Sequence, residues 1–196
     1  MKKIMSIVLS AAVLMSIAAG TAFAVGSTPS KTGSDADAGN ASYTITGTGE
    51  GLEINVKVTE VSETEEAALK AANGDLTGYA NAQVAGTAAK LLGTTAQNTT
   101  VNEVKQLIVS GYKADMGDAA ISVPFAALPA KGTQVAVVIK VVNKGVVNWV
   151  TVPGVVEEKV FVGSTKAVRC ITFMLDGTTL LNVQAGKATV AAVIAK

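Results

Sequence analysis

The chain has 196 residues with 16 basic against 15 acidic side chains, a single cysteine and no histidine. A Ser-His-Asp triad, a Cys-His pair, a histidine-ligated zinc and an internal disulfide are therefore all excluded. The near-neutral balance, without a basic tract, argues against nucleic acid or an anionic membrane surface as partner.

Lys2 and Lys3 precede an apolar run from Ile4 to Ala19, and Ala22-Phe23-Ala24 places small residues at the −3 and −1 positions of a cleavage site. That order predicts a secretory signal peptide over residues 1–24, with no membrane span left after cleavage. The segment holds two lysines and no acid, so the mature chain carries 14 basic and 15 acidic residues. Residues 25–41 are small and polar without periodicity and read as a flexible arm.

Tyr43 and Ile45 alternate with threonines, Gly47 to Gly51 form a glycine-rich break, and Leu52, Ile54, Val56 and Val58 alternate with polar residues. Period two on either side of a turn predicts a hairpin with one buried face. Ser62 and Glu65 have capping-box spacing, opening a short helix that Asn73-Gly74 ends. Residues 77–92 are alanine-rich and read as helical. Thr100 and Glu103 repeat the capping box, and Val101, Val104, Leu107 and Ile108 form an apolar stripe, so a further helix is expected there, covered by a sheet.

Strands are expected at 120–126, 134–143, 146–152, 155–162, 167–175, 179–183 and 188–195, with turns at Asn143-Lys144-Gly145 and Asp176-Gly177. Val135–Ile139 and Ala191–Ile194 are apolar on both faces, as central strands would be. The fold class expected is α+β: an N-terminal β-hairpin plus short helices (42–113) packed with a C-terminal antiparallel β-sandwich-like module (119–196), the two sharing one core. Trp149 reads as a core or edge anchor.

The hairpin running into Glu60-Val61-Ser62-Glu63, the acidic alanine-rich helices and the terminal β-module together resemble a family of uncharacterised secreted proteins of anaerobic gut bacteria. In the β-module the resemblance is carried by Val135–Val142, Lys144-Gly145, Trp149 with Val152-Pro153, and Asp176-Gly177-Thr178. Gly186-Lys187-Ala188-Thr189 stands where that family tends to have a Ser-Pro pair. The resemblance implies the architecture and carries no activity or site residue.

Motifs with chemical meaning fail on context. Ser110-Gly111-Tyr112-Lys113 and Lys31-Thr32-Gly33 match parts of penicillin-recognising serine enzymes, but in the wrong order, with the serine ending the expected helix and no S-D-N. Leu128-Pro129-Ala130-Lys131-Gly132 lies mid-chain, unlike a sortase signal. Asp35 to Asn40 opens like a calcium loop but lacks the third oxygen ligand and the closing glutamate. Asp115 and Asp118 flank Gly117 as a solvated turn. Cys170 reads as a small buried hydrophobe. The acidic neighbours Glu65-Glu66 and Glu157-Glu158 point to different faces and make no acid–base pair.

No catalytic, cofactor-binding or metal-binding residue is therefore assigned, and no cofactor is expected. The chain is expected to be a secreted, extracellular, non-catalytic surface or matrix module that binds a protein or glycan or assembles. The alternative is a small hydrolase with a carboxylate or Ser/Lys site. A monomer is expected, because the nearly uncharged run 188–195 should lie inside the sheet, and the arm, with only Thr28, Ser30, Thr32 and Ser34 in alternation, is a poor donor strand.

Overall fold

The computed structural model describes residues 40–46, 53–161 and 166–196. The signal segment, nearly all of the arm, Lys31-Thr32-Gly33, most of the calcium-loop-like segment, the Gly47–Gly51 break and Val162 lie outside the described residues. Eight strands and four helices follow in the order β1 (Ala41–Thr46), β2 (Glu53–Thr59), α1 (Glu63–Ala71), α2 (Leu76–Tyr79), α3 (Ala82–Leu91), β3 (Thr99–Ser110), β4 (Ala119–Pro124), β5 (Gln134–Asn143), β6 (Val146–Lys159), β7 (Val168–Leu175), α4 (Gly177–Ala185) and β8 (Lys187–Ala195).

All eight strands belong to one antiparallel sheet, β1-β2-β3-β8-β5-β6-β7-β4. They do not form the expected sandwich: the described strands make one sheet that nearly closes on itself. The reason is β8, which inserts between β3 and β5 and merges the arc from residues 42–113 with the arc from 119–196.

β1 and β2 pair as expected, with Ile45 opposite Ile54, Tyr43 opposite Val56 and Ala41 opposite Val58, so one face is apolar. Strand pairing thus begins at Ala41, one residue inside the expected arm. Ser62 caps α1 by accepting from the Glu65 backbone, and Asn73 and Gly74 leave it at positive φ. The helix expected over 77–92 is two helices, broken at Ala80 and Asn81. Asn81 caps α3 by accepting from the Val84 amide.

Three elements differ from expectation. Residues 100–108 are strand β3, not a helix. A bulge at Asn102 shifts the register between Val101 and Glu103, so Val101 and Val104, three apart, reach the same face. Residues 179–183 are helical: Asp176 begins α4 by accepting from the Thr179 amide and hydroxyl, and Leu180 and Val183 are buried one turn apart. The two strands expected at 146–152 and 155–162 are the single strand β6, which continues through Pro153 and Gly154.

Two apolar layers result. Val135, Val137, Ile139 and Val141 of β5 and Ala188, Val190 and Ala192 of β8 face the interior, with Leu107, Ile121, Ile171 and Leu180. Ala136, Val138, Ala191 and Val193 face outward beneath Leu76, Tyr79, Val84 and Ala88 of the helical layer. β5 and β8 are thus buried on both faces, as their unbroken apolar runs indicate. α4 packs against β3, β5 and β8, and Gln184 hydrogen-bonds both the N–H and the C=O of Tyr112. No helix among the described residues is long and apolar enough to cross a membrane.

Candidate functional site

The motifs singled out in the sequence do not converge. Ser110 is exposed at the end of β3, not at a helix, and Leu128–Gly132 lies in the loop between β4 and β5. Asp115 and Asp118 are exposed. No group of three or more Cys, Asp or Glu side chains among the described residues is placed to hold a metal. Trp149 is half-buried, edge-on to Tyr79 at 5.9 Å, with the Lys140 ammonium 5.9 Å from its ring centre. Lys140 reaches Glu65 at 2.5 Å, and the Tyr79 hydroxyl donates to the same carboxylate at 3.3 Å. That cluster tacks α1 and α2 onto the sheet.

A second cluster, which sequence spacing gave no means of finding, lies where the sheet nearly closes. β1 and β4 are the two edge strands, and the Tyr43 hydroxyl spans the seam between them. It donates to the Ser122 carbonyl at 2.9 Å and accepts from the Ser122 amide at 2.7 Å. One phenol thus satisfies both groups that Ser122 offers at its open edge. Phe161 packs against its ring at 5.7 Å. Burial pushes the Tyr43 hydroxyl far above its usual range, opposed by the Ser122 bond and reinforced by nearby Cys170.

Strand register brings the remaining groups to Ser122. Thr172 lies opposite it on β7, and Cys170 of β7 lies opposite Glu157 of β6. Lys159 Nζ donates to Ser122 Oγ at 2.9 Å and ion-pairs with Glu157 Oε2 at 3.1 Å. Thr172 Oγ1 donates to Glu157 Oε2 at 2.6 Å and lies 3.0 Å from Ser122 Oγ. A hydroxyl has one proton, so the direction is determined: Lys159 donates to Ser122, Ser122 to Thr172 and Thr172 to Glu157, which closes on Lys159.

A serine beside a lysine is the pair a nucleophilic hydrolase would need. Here the lysine donates to the serine rather than taking its proton. The serine's amide is held by Tyr43 instead of being free for an oxyanion, and only 4 % of the residue is exposed. Glu157 is desolvated, but its bonds from Thr172 and Lys159 outweigh that and hold its carboxyl below the usual range. Asp176 is likewise lowered: partial burial opposes ionisation, and the bonds from Thr179 prevail. Cys170 is fully buried, and burial pushes its thiol up to about 11.

The first of two predictions tests the seam, and the second takes the shifted groups of the whole fold together. Tyr43→Phe leaves both Ser122 backbone groups without their partner and should cost on the order of 1–2 kcal/mol in urea unfolding, with faster amide exchange at Ser122. The second concerns pH. Tyr43, Tyr79 and Tyr112 are raised from 10.0 and Cys170 from 9.0, so the folded chain keeps protons that the unfolded chain has lost. Their stabilisation is complete below about pH 9 and is lost as pH rises beyond it. Glu157 and Asp176, lowered from 4.5 and 3.8, contribute above those values and lose their contribution as pH falls. Tm should therefore plateau between about pH 5 and 8 and fall on both sides.

Comparison of the chain with protein-family models, with curated proteins and with solved structures returns no match.

Proposed function

We propose that the chain is exported and acts outside the cell as a non-catalytic surface or extracellular-matrix module, binding a protein or glycan or assembling with other chains. The observation that carries this is the closed ring of Lys159, Ser122, Thr172 and Glu157. It brings a serine, a threonine, a lysine and a carboxylate together, and each is committed to another member of the ring. No buried side-chain nitrogen or oxygen among the described residues lacks a partner waiting for a substrate to supply it. Export rests on the Lys2-Lys3, apolar and Ala22-Phe23-Ala24 order.

The runner-up, a small secreted hydrolase, is favoured by one distance, the 2.9 Å between Lys159 Nζ and Ser122 Oγ. A fluorophosphonate probe separates the module from the Ser/Lys form of that hydrolase. A non-catalytic module leaves Ser122 unlabelled, while labelling that vanishes in Ser122→Ala would establish the hydrolase. Intact mass of protein recovered from culture medium tests export, and the expected species begins at Val25.

A further inference from the structure

β6 has 14 residues, and β7 pairs only with Gly154 to Lys159. The first half, from Val146 to Pro153, pairs with β5 on one side. The orientation of its other side follows from the turn. Lys144 and Gly145 both have positive φ, so they form a two-residue turn closed by the hydrogen-bonded pair Asn143–Val146. Such pairs recur every second residue along an antiparallel ladder, so Asn148, Val150 and Val152 direct their backbone groups into β5. Val147, Trp149 and Thr151 direct theirs away from it. No further backbone partner reaches these three among the described residues.

The side chains do little to protect this edge. No charged residue occurs from Val146 to Val156, although edge strands are ordinarily guarded by charges, bulges or prolines. Val146 and Val147 are 60 % and 46 % exposed. β8, the strand whose sequence raised the question of association, has both edges paired. Among the described residues, β6 instead carries an unpaired edge along its first half.

We propose that this edge pairs with the same edge of a second copy, antiparallel about a two-fold axis at Trp149. The proposal rests on the chain being an assembling module, and it replaces the monomer expected from β8. An isologous contact requires a self-complementary strand. Around Trp149 the strand is nearly self-complementary: Val146 meets the partner's Val152, β-branched Val147 meets the partner's Thr151, and the one unlike pair is Asn148 with the partner's Val150. Three hydrogen-bonded pairs, each exchanging two bonds, give about six bonds across the axis. The pairing also limits itself. Pro153 has no N–H to donate and comes opposite the partner's Gly145 within the turn, so the ladder ends as a closed dimer. Residues 25–39 are a weaker occupant, since Thr28, Ser30, Thr32 and Ser34 bring no apolar side chains to an apolar edge.

Sedimentation velocity of the mature chain over a wide concentration range tests this, with Tm measured in parallel. The expected result is a reversible dimer. Val147→Pro removes an outward N–H and should weaken dimerisation at least about tenfold while leaving Tm unchanged at dilutions where the parent is also monomeric. Val146→Pro, whose N–H is bonded to Asn143, should instead lower Tm. Val147→Lys, which keeps the backbone intact, should also dissociate the dimer should the proline variant misfold. A wild-type monomer at every concentration overturns the proposal. So does a dimer undiminished in both Val147 variants, or one abolished only by deleting residues 25–39. A monomer in which Ser122 stays unlabelled overturns the dimer alone, whereas labelling of Ser122 overturns the non-catalytic reading whatever the oligomeric state.

Discussion

Leu107→Ala should lower stability by about 2–5 kcal/mol, while Ile108→Ala, one residue along, should change it by less than about 1 kcal/mol. Leu107 is 1 % exposed, lies between Val58 of β2 and Ala188 of β8, and fills the sheet interior. Removing its terminal carbons forfeits their transfer free energy and leaves a cavity, because the branched side chains around it are stiff and collapse only partly. Ile108 is on the opposite face and is 42 % exposed. On a helix the two residues would share the apolar stripe and both substitutions would be costly. Urea unfolding of the two variants therefore reports the strand directly, and equal losses would contradict it.

Gly154→Ala is the second large effect, arising from overpacking rather than a void. A Cβ at residue 154 would lie 2.6 Å from Ile171 Cγ2, 2.7 Å from Val137 Cγ2 and 3.3 Å from Val135 Cγ2. These methyls belong to buried β-branched side chains, whose χ1 is restricted and whose surroundings are close-packed. The neighbouring strands must separate, at a cost of about 1–3 kcal/mol and toward the upper end of that range. The loss should concentrate in the β6–β7 pairing, because Gly154 is where β6 passes from its open half to the half that β7 covers. Hydrogen exchange should show faster opening at Val155 and Glu157 than at Val137. A variant as stable as the parent would mean that the interior has room there.

Much of the local structure is legible in the residues. Alternation in β1 and β2, the Ser62 cap, the Asn73-Gly74 stop, the Lys144-Gly145 turn and the doubly apolar runs of β5 and β8 are all short-range patterns, each with a short-range cause. The two exchanges of helix and strand also have causes. Val101 and Val104 share a face because the bulge at Asn102 inserts one residue, so a strand acquires the three-residue spacing of a helix. Thr179–Val183 is β-prone in composition, yet the Asp176 cap and the interior end that Leu180 and Val183 fill make it a helix.

The seam and the open edge belong to a different level. Tyr43 and Ser122 are 79 residues apart, and Ser122 and Lys159 are 37 apart. No local pattern records which strand meets which, or that β7 leaves β6 halfway along. Composition alone excluded histidine chemistry and disulfides, and periodicity located most of the elements and showed which strands are buried on both faces. The strand order, the phenol across the seam, the closed polar ring and the unpaired half of β6 depend on register between distant segments. Register is set by the packing of the whole interior, where a shift of one residue would turn every side chain of a strand to the opposite face.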